Sequence, residues 1–379
     1  MTITERMSVM SSSQVYFTNL RAKPGDNLLD KLERLITKAG MGNIDFEGKY
    51  VAIKIHFGEP GNLAYLRPNY AKVVVDFIKA RGGKPFLTDC NTLYIGGRKN
   101  ALDHLESAYT NGYNPFTVGC HLIIADGLKG TDEAYVPVVG GEYVKEAKIG
   151  RAVMDADIVI SLNHFKGHEA TGFGGALKNL GMGCGSRAGK MEMHSAGKPH
   201  TDRDLCIGCG ACQRICAHGA PIMTDKRITI DHDKCVGCGR CIGVCPKDAI
   251  LPASDESNDI LNCKIAEYTK AVVDGRPCFH INLVMDVAPN CDCHGENDAN
   301  IVPDVGMFAS FDPVALDVAC ADAVNRQPVL PGTQLEEMSH SHTGDHFHVN
   351  HPDTNWRSCV EHAEKLGLGT QSYELITVK

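Results

Sequence analysis

Apolar runs of strand length alternate along the first half of the chain with stretches whose apolar residues recur every three or four positions. The strand-like runs are Gln14–Leu20, Tyr50–Phe57, Pro85–Asp89, His121–Ala125 and Ile158–Leu162. Between the second and third, Val73, Val74, Phe77 and Ile78 share one helical face across Asn69–Arg81, and Gly82-Gly83 stops that helix. A further helix is expected over Lys99–Tyr109. Regular alternation of strand and helix predicts an α/β fold, a mainly parallel sheet with helices on both faces.

The pattern breaks at about Gly189–His200, a polar stretch containing glycine, and a cysteine-rich segment then runs to Pro252. After a polar linker, Ala253–Asn258, the alternation resumes with a helix near Ile260–Asp274 and strands at Phe279–Val287 and Val305–Ser310. Asp312 followed by Pro313 is a strong helix start: a side-chain cap, then a residue with no amide to satisfy. Trp356–Leu366 reads as a last helix and Tyr373–Val378 as a last strand. The expected organisation is one α/β domain in two parts, 1–198 and 255–379, interrupted by a small α+β ferredoxin-like module at 199–254. The duplication inside that module is an internal repeat.

The interruption is the most specific chemical signal. Cys206, Cys209, Cys212 and Cys216 form one C-x2-C-x2-C-x3-C run, and Cys235, Cys238, Cys241 and Cys245 form a second, closed by Pro246. A cubane iron–sulfur cluster takes three thiolates from one tight arc and its fourth from the other copy. The expected ligand sets are therefore Cys206, Cys209, Cys212 and Cys245 for one [4Fe–4S] cluster, and Cys235, Cys238, Cys241 and Cys216 for the other. The alternatives are a pair of zinc knuckles or a disulfide framework; zinc sites usually take their ligands as C-x2-C pairs from separate loops rather than as tandem quartets.

Bulk properties narrow the class. With 379 residues, 43% hydrophobic and 22% charged, the chain suits a large soluble domain plus a small one. A net charge of −8 disfavours nucleic acid as a main partner, because phosphate neutralisation needs a basic face. The opening MTITERMSVMSSSQ carries no signal-peptide apolar core, and no run reaches the roughly 20 apolar residues of a membrane span. The expectation is a cytoplasmic protein with reduced thiols.

Three further places can hold chemistry. Asn163-His-Phe-Lys-Gly-His168 follows the strand Ile158–Leu162, so His164, Lys166 and His168 are expected beyond its carboxyl end, where ligands of open α/β sheets bind. Gly172, Gly174 and Gly175 permit close backbone approach, a helix starting there would offer amides to an anion, and Lys178 adds charge. A plain strand-to-helix turn explains the same glycines, and the spacing departs from the nucleotide-binding fingerprints. Asn290-Cys-Asp-Cys-His294 supplies Cys291, Cys293 and His294, a set able to hold a metal ion, form a redox pair or do neither. Asp304 and Asp312 neighbour it only if the flanking strands lie side by side. His56 and Asp89 end strands at the same expected edge. The late histidines His340, His342, His346, His348 and His351 are more simply solvated, and Cys184 can pack or face either site.

The phrases KIHFGEPGN, TDCNTLYIGGR, LNHFKGHEATGFGGALKNLGMGCGSRAGK, CDCHGENDANIVPDVGMFASFDPVALD and KLGLG resemble the uncharacterised iron–sulfur centre proteins. The resemblance covers nearly the whole chain and implies an α/β domain of unknown function interrupted by a bacterial-type two-cluster ferredoxin. Ala217 departs from the ferredoxin pattern, in which proline commonly follows the quartet. A shorter likeness, His168, Gly172, Gly174, Gly175 and Lys178, is similar to the cofactor-binding stretch of nickel-pincer lactate racemases and implies Lys178 as an anchoring lysine.

The expected function is an iron–sulfur oxidoreductase whose module passes single electrons to a site at the sheet's carboxyl edge. There lysines bind a small anionic substrate or cofactor and a histidine donates protons. The rivals are a non-enzymatic electron carrier or adaptor docking to a redox partner protein, and a metal- or cofactor-maturation protein using the Cys291–His294 loop.

Overall fold

The computed structural model describes residues 12–93, 96–194, 198–253, 257–339 and 344–379; His340, His342 and part of the Ala253–Asn258 linker lie outside them. Eight strands form the main sheet: β1 Ser13–Asn19, β2 Tyr50–Lys54, β3 Lys84–Asp89, β4 Leu122–Ile124, β5 Ile158–His164, β6 Cys278–Val284, β7 Gly306–Ser310 and β8 Tyr373–Thr377. Their order is β8-β1-β7-β6-β5-β2-β3-β4. All neighbours pair in parallel except β7, which runs against both β1 and β6. The expected mainly parallel α/β sheet is present. It is continuous across the cysteine segment, because β5 precedes that segment and pairs with β6 beyond it.

Strand alternation sorts the two cores. Val51, Ile53, Ile158, Ile160 and Leu162 pack on one face, and Ala52 and Val159 on the other. The first face is covered by α1 Leu28–Lys38, α2 Pro68–Lys79 and α3 Ala101–Thr110. The second carries α4 Ala176–Cys184, α5 Arg187–His194, α6 Asn258–Val273, α7 Pro313–Asn325 and α8 Arg357–Lys365. The caps are local: Asp312 accepts from the amides of Val314 and Ala315, and Asn27 with Asp30 forms a capping box. Such caps contribute about 1 kcal/mol each.

Several boundaries differ from the sequence reading. β2 stops at Lys54 and β6 at Val284, because the chain leaves the ladder to form loops at the carboxyl edge. The polar stretch near Gly189 is the helix α5, whose Arg187, Lys190, Met191 and Met193 are buried. Its polar residues point into the protein, which a periodicity search for an apolar face does not register. Missed as well were α1 and two hairpins, Glu133–Pro137 with Glu146–Gly150 and Lys166–His168 with Gly172–Gly174.

The cysteine segment is entered and left through one antiparallel pair, Pro199–Thr201 with Ile250–Pro252. Within it a hairpin, Pro221–Thr224 with Arg227–Ile230, separates two equivalent short helices, Ala211–Ile215 and Arg240–Val244. Gly208, Gly210, Gly237 and Gly239 all take left-handed backbone angles, which lets each C-x2-C-x2-C loop curl tightly. No described helix is long and apolar enough to cross a membrane.

Candidate functional site

The ends of β2, β3 and β5 and the loop after β6 surround a narrow cleft. His56, Asp89, His164, Lys166, Gly174, Gly175, Lys178, Cys291 and Cys293 all line it, joined by Lys54, Arg98, Asn179 and Lys190. The common sheet edge predicted from the alternation brings these distant segments together. Asp304 is also at this edge, accepting from the Asp286 amide at 2.7 Å. Asp312 is at the opposite end of β7, bonded to Ser13 and Thr370, so it is no neighbour of the Cys291 loop.

The floor is a buried charge network. Lys54 Nζ lies 2.9 Å from Asp89 Oδ1 and donates to Asn179 Oδ1 at 2.6 Å. Gly183 makes this possible, since a Cβ there would come within 2.5 Å of the ammonium. Arg98 pairs with Glu59 at 2.7 Å and donates to His56 Nε2 at 2.8 Å. Burial, then the Arg98 charge, pushes the His56 imidazolium well below its usual range, so His56 is neutral. Burial acts to raise the Asp89 carboxyl, but Lys54 and His104 outweigh it and hold the group well below the usual carboxylate range.

The Cys291–His294 loop forms one wall. The His294 amide donates to the Cys291 carbonyl at 3.1 Å, closing a tight turn. Asp292 anchors the turn inward, 2.8 Å from His164 Nδ1 and 3.5 Å from Lys166 Nζ. His164 Nε2 meets the Met285 carbonyl at 2.8 Å, so both its ring nitrogens are used in holding the loop. Lys178 Nζ donates to Cys291 Sγ at 3.5 Å. A hydrogen bond from Cys293, then Lys178 and Lys166, draws the Cys291 thiol well below its ordinary range against the effect of burial, while Cys293 keeps the proton.

The expected trio of Cys291, Cys293 and His294 is divided. Ligand atoms of His168, Cys291 and Cys293 lie within 4.8 Å of one another, whereas His294 groups with Cys293 and Glu169. His294 Nε2 is 3.0 Å from Glu169, which raises its affinity for a proton. His168 Nδ1 accepts from the amides of Ala170 and Thr171 at 3.0 and 3.1 Å, which leaves its proton on Nε2. A metal-binding histidine has the reverse arrangement, with its second nitrogen donating.

The expectation of an anion at the start of α4 is corrected by the structure. Asp317 accepts from the amides of Ala176 and Leu177 at 2.8 and 2.9 Å, so a carboxylate of the protein already occupies that helix end. Gly175 leaves room for it, and a Cβ there would strike Asp317. Gly172 packs against Trp356 and is not part of the cleft lining, while Gly174 lies flat beneath Lys166 and Lys178. Of the late histidines, His346, His348 and His351 meet backbone carbonyls of Gln327, Thr354 and Pro289.

In the cysteine segment two small cavities are each walled by four cysteines. Cys206, Cys209, Cys212 and Cys245 share the first; Cys216, Cys235, Cys238 and Cys241 share the second. Burial, then the charges of Cys238 and Cys235, pushes the Cys241 thiol up to about 12. This segment packs on the cleft's outer wall. Leu93 and Met191 join Cys212, Cys241, Ile242 and Ile250 in one apolar cluster, and Lys190, next to Met191, faces the cleft. Arg187 is 1% exposed; a Cβ on Gly239 would meet its side chain at 2.8 Å, and one on Gly243 would clash with its guanidinium.

The candidate-site residues absent from the sequence reading include Lys54, Arg98, Lys190 and Asp292. Lys54 had a signal, since strand alternation sets it on the same side as His56. Arg98 and Lys190 come from a loop and from an unrecognised helix, where periodicity gives no direction.

Comparison with known proteins places these features in context. Residues 51–322 match the family described as Domain of unknown function (DUF362). A thylakoid-associated protein of Synechocystis sp. is 28% identical over 176 residues, covering 44% of this chain and 48% of that protein. The chain thus matches about half the length of that curated relative. Among solved structures, a lactate racemase apoprotein from Thermoanaerobacterium thermosaccharolyticum aligns with a TM-score of 0.36 at 11% identity, over 72% of this chain and 51% of the other. A Thermotoga maritima protein aligns with a TM-score of 0.40 at 15% identity, over 77% of this chain and 56% of the other.

Proposed function

Because this chain belongs to the DUF362 family, a domain of unknown function, we propose its role from its own geometry: an iron–sulfur oxidoreductase that feeds electrons singly into the cleft at the carboxyl edge of the sheet. The observation that carries the reading is the pair of cysteine-walled cavities, each with three cysteines from one copy of the repeat and the fourth from the other. That division suits two [4Fe–4S] clusters, which when bound store and pass one electron each. Leu93 and Met191 support the route, because they pack against the cysteines on one side while their chain neighbours Thr92 and Lys190 line the cleft.

The cleft's own residues divide the remaining work. Lys54 and Arg98 are neutralised by Asp89 and Glu59 and hold the floor rigid. Lys166, Lys178 and Lys190 face the cavity and favour an anionic substrate. His56 is kept neutral beside Arg98, with its Nε2 against the Arg98 guanidinium and its Nδ1 against the Gly58 amide, so like His164 it is engaged at both nitrogens and serves to order the floor of the cleft.

Iron and acid-labile sulfide on anaerobically purified protein test the reading. About eight of each per chain are expected. Cys245→Ser is expected to abolish the EPR signal of the Cys206 set and spare the other, and Cys216→Ser the converse. Zinc in place of iron, or loss of the signal assigned to its own copy, would refute the crossed assignment.

A further inference from the structure

The cleft carries one arrangement that electron delivery alone does not explain. Cys291 and Cys293 occupy the first and third positions of the tight turn closed by the His294 amide, with sulfurs within 4.8 Å of each other, and both line the cleft. The turn is fixed on every side. Asp292 is tied to His164 and Lys166, its carbonyl accepts from the Glu59 amide at 2.9 Å, and Asn62 donates to the His294 carbonyl at 3.0 Å. Gly167 lies so close behind that a Cβ there would clash with the Pro289 carbonyl. Two sulfurs are thus presented at one spot by a loop that cannot carry them apart.

The surroundings suit sulfur redox chemistry better than a metal ion. Lys178 and Lys166 bring positive charge to Cys291, and His168 offers it an N–H with the tautomer set by the Ala170 and Thr171 amides. Cationic neighbours and an N–H repel a metal ion but stabilise a thiolate. A disulfide closing so short a ring is strained and therefore easily reduced.

We propose that Cys291 and Cys293 are a redox dithiol that receives, one at a time, the two electrons delivered through the cysteine-quartet module. The proposal rests on the electron-delivery reading above and identifies its acceptor. In the reductive step the S–S bond breaks; two electrons and one proton yield the Cys291 thiolate, paired with Lys178, and the Cys293 thiol. The electrons come from a low-potential one-electron donor protein through the module. A disulfide substrate admitted to the cleft reoxidises the pair: Cys291 attacks one sulfur and expels the other as thiolate, and Cys293 then displaces the bound half while losing its proton.

The test uses the intact, iron-loaded chain under anaerobic conditions. Oxidised glutathione is added, free thiols are alkylated after unfolding, and the peptide containing residues 291–293 is weighed. The expected result is an internal disulfide in the wild type and a persistent glutathione adduct at Cys291 in Cys293→Ser. Reduced methyl viologen should then reopen the wild-type disulfide at least tenfold faster than that of the Cys212→Ser/Cys241→Ser variant. Full iron content with neither disulfide nor adduct would overturn the dithiol and leave electron delivery standing. A stoichiometric zinc or nickel ion shielding both thiols would overturn it in favour of a metal site. Equal reopening with and without the quartet cysteines would defeat the route, and a wild type lacking iron would defeat electron delivery itself.

Discussion

Lys54 shows how much of this site is decided by single buried charges. Its ammonium has no water to fall back on and is held by Asp89 and Asn179. Removing one member of an isolated buried pair costs about 3–5 kcal/mol, and Arg98 at 3.8 Å and His104 at 3.6 Å still face Asp89, which holds the cost to the lower end of that range. Lys54→Ala is therefore expected to lower unfolding free energy by that order in urea titration, whereas the exposed pair Lys72–Asp76 should be worth under about 1 kcal/mol. The sequence shows such residues by position more than by type. His56, Asp89, His164 and Cys291 were legible because each follows a strand that ends at one edge. Their pairings were not, since Asp89 meets Lys54 and Arg98, and Cys291 meets Lys178, only after the sheet has brought remote segments together. His164 was legible as a site residue but not in its role, because both its partners come from the loop after β6.

At the scale of elements, the helix α4 is the instructive case. Its start had the glycines of an anion site, yet the anion is Asp317 of α7. Burial pushes this carboxyl up to about 6, and the charge of Asp312 adds to the shift, while the Leu177 and Ala176 amides and Asn282 oppose it. A carboxyl with a raised folded-state pKa binds more protons folded than unfolded. Its protonated form therefore stabilises the fold at low pH, and that stability is lost as pH rises from about 4 to about 6. The loss is on the order of 3 kcal/mol. Asp126 is shifted the same way, chiefly by burial. Buried histidines held below their usual range, His56, His104 and His280 among them, act in the opposite direction over the same window, so the variant is compared with wild type: Asp317→Asn should make denaturant stability rise more steeply with pH between about 4.5 and about 6.5. An unchanged slope in the variant would show that Asp317 is ionised throughout. Strands and long amphipathic helices were readable here because each has a period. Helix α5 and the Lys166–Gly174 hairpin were not, since their buried faces are polar and answer to a cleft rather than to an apolar core.

For the molecule as a whole, Arg187 is the pin between its two parts. It sits against Gly239 and Gly243, donates to the Lys99 carbonyl and lies near Asp126. Arg187→Ala should leave the iron content intact but loosen the packing, read as at least tenfold faster protease cleavage within residues 198–253 and slower reduction of the proposed Cys291–Cys293 disulfide. Unchanged cleavage would mean that the apolar contacts of Leu93 and Met191 suffice. The interruption itself was the plainest feature of the sequence, because tandem cysteine quartets have no common alternative use; where it docks was invisible. The antiparallel neck at Pro199–Thr201 and Ile250–Pro252 gives that interruption a further meaning. The chain departs from the sheet and returns to it at one point, so the main ladder closes without any strand from the cysteine segment. On the proposed reading the scaffold and the clusters are separable, so protein made without iron is expected to keep the circular dichroism of the main sheet and to take up iron and sulfide afterwards.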